Sequence, residues 1–155
     1  MYTARRPKDR PYILPLGARP ERTYMLDTNI CIYIIKKKTD SILNKIKKNR
    51  KKGLCISSIT LAELEFGNAN ADILYKERNK VALMEFLTII GIRHFDENAA
   101  KEFGIIKKDL KGRNCLIGPY DMLIGAHAKS LSMVLVTNNM KEFGRIHGLN
   151  MENWV

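Results

Sequence analysis

The 155-residue chain has little of what several protein classes need. Its three cysteines, Cys31, Cys55 and Cys115, lie far apart and form no Cys-x-x-Cys pair. That excludes a disulfide scaffold or a thiolate zinc site and leads us to expect a reduced cytoplasm. Its three histidines, His94, His127 and His147, never fall at His-x-x-x-His spacing, so no two imidazoles share a helix face for zinc. We read each of them as structural or surface. No apolar run approaches the ~20 residues that span a bilayer, and the basic N-terminus lacks a following apolar segment, so we expect neither membrane insertion nor export.

Acidic residues are also scarce, 16 against 27 Lys and Arg, and the formal charge is +11. A surplus of that size points to a polyanionic partner, because a positive surface steers and concentrates such ligands. Residues 1–23 supply +4 of it, and nine Lys or Arg face the single acid Asp40 between Lys36 and Lys52. Such a run suits a solvated helix face or an RNA phosphate footprint. We favour the second and single out Lys47, Lys48 and Lys51 as RNA contacts.

Four of the five prolines fall in the first 23 residues, where no hydrophobic periodicity exists. Residues 1–22 therefore read as a disordered extension or a leader, and 23–155 as one domain. About 150 residues bury roughly 70% of their unfolded surface without a structural metal, so any metal here serves chemistry. Short apolar runs predict strands at Thr23–Asp27, Leu54–Ser57, Gly91–Phe95 and Met133–Thr137. Helical spacing predicts helices at Ile30–Ile35, Asp40–Arg50, Ile59–Asn70, Asp72–Ile90, Glu97–Leu110, Tyr120–Ser130 and Met140–Ile146. The alternation argues for an α/β fold, a mainly parallel sheet covered on both faces, with ligands beyond the carboxyl ends of its strands.

Three acids stand at such places. Asp27 follows the first strand, Glu63 lies early in the helix after Ser57-Ser58, and Asp121 follows Gly118-Pro119-Tyr120. Each alone also suits a helix end: Asp27 as an N-cap, Glu63 in a Thr60-x-x-Glu63 capping box, Asp121 in a first turn. Magnesium would explain their convergence, since it takes oxygen ligands and keeps several waters. Clustered carboxylates repel one another unless a cation is present. Thr28, Asn29 and Thr137 are suited to orienting the carboxylates or metal-bound water. Ser57 is read as a helix cap, and Glu142, close to the proposed site, as an ordinary first-turn acid in preference to a contact for metal-bound water.

Met25-Leu26-Asp27-Thr28-Asn29, Ile56 through Glu63, Gly118-Pro119-Tyr120-Asp121 and Val136-Thr137-Asn138-Asn139-Met140-Lys141-Glu142-Phe143 together resemble the PIN-domain ribonucleases, and within them the VapC toxins. The resemblance covers about residues 23 to 155, and its specificity lies in the order and spacing of the motifs. It implies a flavodoxin-like α/β/α sandwich and a magnesium-dependent endoribonuclease, with manganese able to substitute. It also implies a toxin homodimer neutralised by a VapB antitoxin. Carried over residue by residue, Asp27, Glu63 and Asp121 become the metal-binding acids and Asn139 completes the catalytic set. Many PIN domains have a fourth acid where this chain has Asn139, although a subset of VapC toxins reads Asn-Asn there. The neutral amide leaves open whether one ion or two act.

The toxin resemblance and the lysine-rich stretch together favour structured RNA as substrate, tRNA and its anticodon stem-loop first. Two other enzymes fit less well. A haloacid-dehalogenase-type phosphotransferase wants Asp-x-Asp, and the second position here is Asn29. A flap-endonuclease type usually carries more acids and extra DNA-binding helices than 155 residues hold. A non-enzymatic RNA-binding module would use the acids only as caps and show no magnesium dependence.

Overall fold

The computed structural model describes residues 23–37 and 39–155. The extension read at 1–22 lies outside the described residues, as does Lys38 of the basic run.

Thr23 leads into β1 (Tyr24–Leu26), and the chain continues through α1 (Thr28–Lys37) and α2 (Asp40–Asn49). A 3-10 turn at Arg50–Lys52 ends on Gly53, whose φ of 86° lies in the left-handed region that glycine enters without a Cβ clash. Then come β2 (Leu54–Ser57), α3 (Ser58–Ala69), α4 (Ile73–Ile89) and β3 (Gly91–Arg93). The last part holds α5 (Glu97–Gly112), α6 (Pro119–Ser130), β4 (Val134–Val136), α7 (Met140–Phe143) and β5 (Met151–Glu152). No helix among the described residues is long and apolar enough to cross a membrane.

The five strands lie in the order β3-β2-β1-β4-β5, and every pairing is parallel. Alternation along the strands sends Tyr24, Leu26, Leu54, Ile56, Val134 and Val136 into one apolar layer with α1 to α4. Met25, Cys55 and Leu135 point the other way, against α5, α6 and α7. Covered on both faces, the central strands have no solvent side, and that is why they read as unbroken apolar runs. The expected α/β/α sandwich is present.

Several ends differ from the sequence reading, each for a local reason. Helix α1 starts at Thr28 rather than Ile30 because Asp27 caps it, its Oδ1 accepting the Ile30 N–H at 2.8 Å. Strand β3 stops at Arg93 because the Phe95 N–H leaves the ladder for Ser58 Oγ, 3.0 Å away. Strand β5 was not anticipated, since two residues are too short to show a period.

The strand order also fixes where a ligand goes. From β1 the chain builds outward through β2 to β3, then crosses back to place β4 on the other side of β1. The crevice beyond the carboxyl ends of β1 and β4 is thus the switch point of the sheet.

Candidate active site

Asp27 and Thr137 close the switch point from its two sides. The Asp27 N–H continues the ladder to the Val136 carbonyl at 3.0 Å, which brings the residue after β1 beside the residue after β4. The Asp27 side chain is buried, with Oδ2 accepting the Thr137 hydroxyl at 2.5 Å. Thr137 Oγ1 in turn accepts the Asn139 N–H at 2.9 Å, so one hydroxyl fixes both the carboxylate and the turn that follows β4. Burial raises the pKa of Asp27; the bonds from Thr137 and Ile30 oppose that rise, and the charge of Glu63 adds to it.

Glu63 arrives from α3. Ser57 is the cap of that helix, its Oγ accepting the Ile59 N–H at 3.1 Å, so Glu63 is free of the capping-box role. Its Oε1 instead accepts the Thr28 hydroxyl at 2.7 Å, and the Thr28 and Thr60 hydroxyl oxygens stand 3.2 Å apart. Thr28 thereby ties the start of α1 to α3 and orients the second acid.

Asp121 sits in the first turn of α6, behind Pro119, whose fixed φ suits the first helical position. Its pKa is pushed up to about 6, first by burial and then by the negative charges of Glu142, Asp27 and Glu63, with a hydrogen bond to Glu142 adding to the rise. A helix N-terminus would by itself favour the ionised form. The rise therefore owes most to burial, and the three neighbouring carboxyl groups add to it.

Glu142 is the residue to which the sequence reading gave the lesser of its two roles. It lies in the first turn of α7, where an acid is ordinary, and accepts a hydrogen bond from Asn139 Nδ2 at 3.1 Å. Its spacing of three from Asn139 was visible; its approach to Asp121 is tertiary. A carboxylate thus stands beside the position where Asn139 supplies only an amide. Asn29 is exposed and makes no side-chain hydrogen bond to a described residue, so no bond ties it to the acids.

The donor set fits a hard divalent cation. Asp27, Glu63, Asp121 and Glu142 offer only oxygens, and among the described residues their hydrogen-bond partners are hydroxyls, a backbone N–H, an amide and, for Asp121 and Glu142, each other, with no Lys or Arg. Among the described residues no three His, Cys, Asp or Glu side chains stand together closely enough to hold a metal ion as they are placed, so an ion shared by these acids would need them to draw in or to reach it through water.

Lys47, Lys48 and Lys51 are not brought here. Leu54 pairs with Tyr24, the first residue of β1, so the Arg50–Lys52 turn lies at the opposite end of the sheet. Asp27 is three residues past Tyr24, about 10 Å further along the strand. His127 is structural, buried with Nδ1 2.8 Å from Ser57 Oγ and the Phe95 ring edge-on to it.

Residues 24–149 match the model of the PIN domain family. The chain belongs to the PIN-domain family. Within this family its relatives carry the VapC name. Ribonuclease VapC2 of Haemophilus influenzae is 44% identical over 132 residues, covering 85% of this chain and 98% of that protein. The tRNA(fMet)-specific endonuclease VapC of Shigella flexneri is 40% identical over 131 residues, covering 84% and 97%. Among solved structures, VapBC2 from Rickettsia felis, bound to a DNA fragment from its promoter, superposes with a TM-score of 0.82 at 40% identity. That match covers 86% of this chain and 99% of the other. The PIN-domain and VapC resemblance read from the motifs is borne out across the whole sheet.

Proposed function

We propose that this chain is a magnesium-dependent endoribonuclease toxin of the VapC type, which cuts structured RNA, tRNA first, at its anticodon stem-loop. The observation that carries the proposal is the convergence of Asp27, Glu63, Asp121 and Glu142 on one crevice, where burial first and then its neighbours' charges push Asp121 up to about 6. Asp27, Glu63 and Asp121 would hold magnesium, or manganese in its place, with Glu142 beside them. The ion would supply an activated water and charge stabilisation for phosphodiester hydrolysis.

The protein's own part is positional. Thr137 locks one Asp27 oxygen while the Ile30 N–H holds the other, so this carboxylate has one orientation. Thr28 does the same for Glu63. Asn139, fixed through Thr137 and Glu142, presents an amide at the mouth of the crevice, able to donate to a phosphate oxygen. The specificity of the Shigella relative for tRNA(fMet) supports tRNA as the substrate class.

A VapB-type antitoxin is the partner, supported by the VapBC complexes among the similar structures. An apolar face suits it: Phe66, Ile73 and Leu74 on α3 and α4 are 69%, 85% and 85% exposed, well beyond scattered surface apolar residues. A homodimer acting in the cytoplasm completes the reading.

The test is direct. Purified chain, freed of antitoxin, is expected to cut tRNA with magnesium and stop with EDTA. Asp27→Asn and Asp121→Asn are expected to abolish cutting, and survival of cleavage in both would remove this site from the reaction.

A further inference from the structure

The fold separates charge along the strand direction. Carboxylates fill the carboxyl end of the sheet, whereas the amino end carries Lys47, Lys48, Arg50, Lys51 and Lys52, five exposed cations in six residues, interrupted only by buried Asn49. None of the five makes an ion pair or side-chain hydrogen bond with a described residue. Asp40, the acid nearest in sequence, stands at the far end of α2. Lys47 and Lys48 lie in the last turn of α2, where cations complement the helix dipole, but Arg50, Lys51 and Lys52 lie past it in the 3-10 turn. Helix stability therefore does not account for the cluster.

We propose that this surface is an exosite for structured RNA, gripping backbone phosphates on a part of the molecule remote from the bond that is cut. RNA as the ligand rests on the ribonuclease reading above; the polyanion preference rests on the surface itself. Ile42 and Ile46 of α2 are buried, and the half-buried Leu43 faces an apolar pocket against α4 that none of the five cations lines, so the cluster itself presents charge alone. A membrane-lying helix needs an apolar face, and a protein interface needs a desolvated apolar centre. Phosphates need neither. Charge alone reads backbone and not sequence, so the exosite adds affinity and leaves cut-site choice to the crevice.

Geometry adds a length requirement. The cluster and Asp27 lie at opposite ends of the strands, about 10 Å apart along the sheet before any path around its edge is counted. At a rise of roughly 3.4 Å per nucleotide, a ligand touching both spans at least several nucleotides. A folded RNA meets that requirement and a dinucleotide does not. Thr23, the first described residue, lies on this same end, its carbonyl accepting the Val134 N–H at 2.9 Å.

The experiment uses the full chain carrying Asp27→Asn, so that RNA stays intact, and an initiator tRNA transcript as probe. Combined Lys47→Ala, Lys48→Ala and Lys51→Ala should weaken binding at least tenfold. It should also flatten the slope of log K against log salt by about two to three, one phosphate contact per lysine. The matching Lys→Arg triple should restore both, which separates charge from folding, and circular dichroism should be the same for all. With Asp27 intact, the alanine triple should raise KM for the tRNA and leave kcat unchanged. Unchanged affinity and slope would overturn the exosite, as would a loss confined to a DNA duplex of similar length. If the wild-type chain fails to cut but the binding loss stands, the ribonuclease reading falls and the exosite does not.

Discussion

Thr137 and Asp27, 110 residues apart in sequence, share a 2.5 Å hydrogen bond that joins β4 to β1 at the mouth of the crevice. The Asp27 carboxylate is buried, and Thr137 holds the oxygen that Ile30 leaves free. Thr137→Val should therefore cost on the order of 1–3 kcal/mol of stability, the penalty of leaving a buried acceptor unmade. Residues that orient a metal-binding carboxylate change activity about 10- to 100-fold when lost, so cleavage should fall by that much. Thr137→Ser keeps the hydroxyl and should recover most of both. Urea unfolding beside tRNA cleavage reads the pair, and a valine variant equal to wild type in both would show that the bond does nothing.

The four carboxyl groups predict a linkage to magnesium. An ion that binds only the folded state stabilises it by about 2.7 kcal/mol when present at a hundredfold excess over its Kd. Magnesium should raise the Tm of the wild-type chain, have little effect on Asp27→Asn or Asp121→Asn, and act more weakly on Glu142→Gln. Differential scanning calorimetry with and without EDTA gives the comparison. A Glu142→Gln shift as large as that of wild type would return Glu142 to an ordinary helix-end acid.

Burial at His127 makes a pH prediction. Desolvation holds its pKa below the ordinary 6.5, so the folded chain resists the proton that the unfolded chain accepts. Below about 6.5 the unfolded state binds more protons, and stability falls as the pH drops through the window between the two values. The loss is complete only below the folded value. His127→Gln removes this contribution, so the stability gap between wild type and variant should narrow on going from pH 7.5 to pH 5. Equal slopes for the two proteins in denaturant titrations would contradict it.

How much of this was legible in sequence depends on whether the signal was local. Tyr24–Leu26, Leu54–Ser57 and Val134–Val136 were legible because a strand buried on both faces must be apolar throughout. Met151–Glu152 was not, because two residues carry no period and only the ladder to β4 makes them a strand. Asp27, Glu63 and Asp121 were each compatible with a helix end, and Asp27 does cap α1 while its other oxygen bonds Thr137 at the crevice. Glu142 was legible as a neighbour of the site but not as a member of it, because a first-turn acid looks the same whether it faces solvent or Asp121. The lysine run was plain, but its position depended on where the chain turns after α1, which composition does not encode.

Packing behind the crevice supplies the last prediction. Gly125, in the middle of α6, lies so close to α7 and the turn after it that a Cβ there would stand 2.5 Å from Ile146 Cδ1. Phe143 Cδ1 and Leu149 Cδ2 stand 3.6 and 3.7 Å from the same Cβ position, and Ile146, itself buried, has to shift its Cδ1 within that packing. Gly125→Ala gains helix propensity of about 1 kcal/mol, but inserting a methyl into a filled core costs about 1–3 kcal/mol. Net destabilisation should follow, and the strain should fall on the contact between α6, which carries Asp121, and α7, which carries Glu142. Ile146→Val removes the Cδ1 atom that the new methyl meets. Added to Gly125→Ala, it should restore stability, giving a coupling energy of the size that contacting residues show, about 0.5–3 kcal/mol. Chemical denaturation of the two single variants and the double closes the cycle. Additive losses would mean that α6 can move away from α7 without cost.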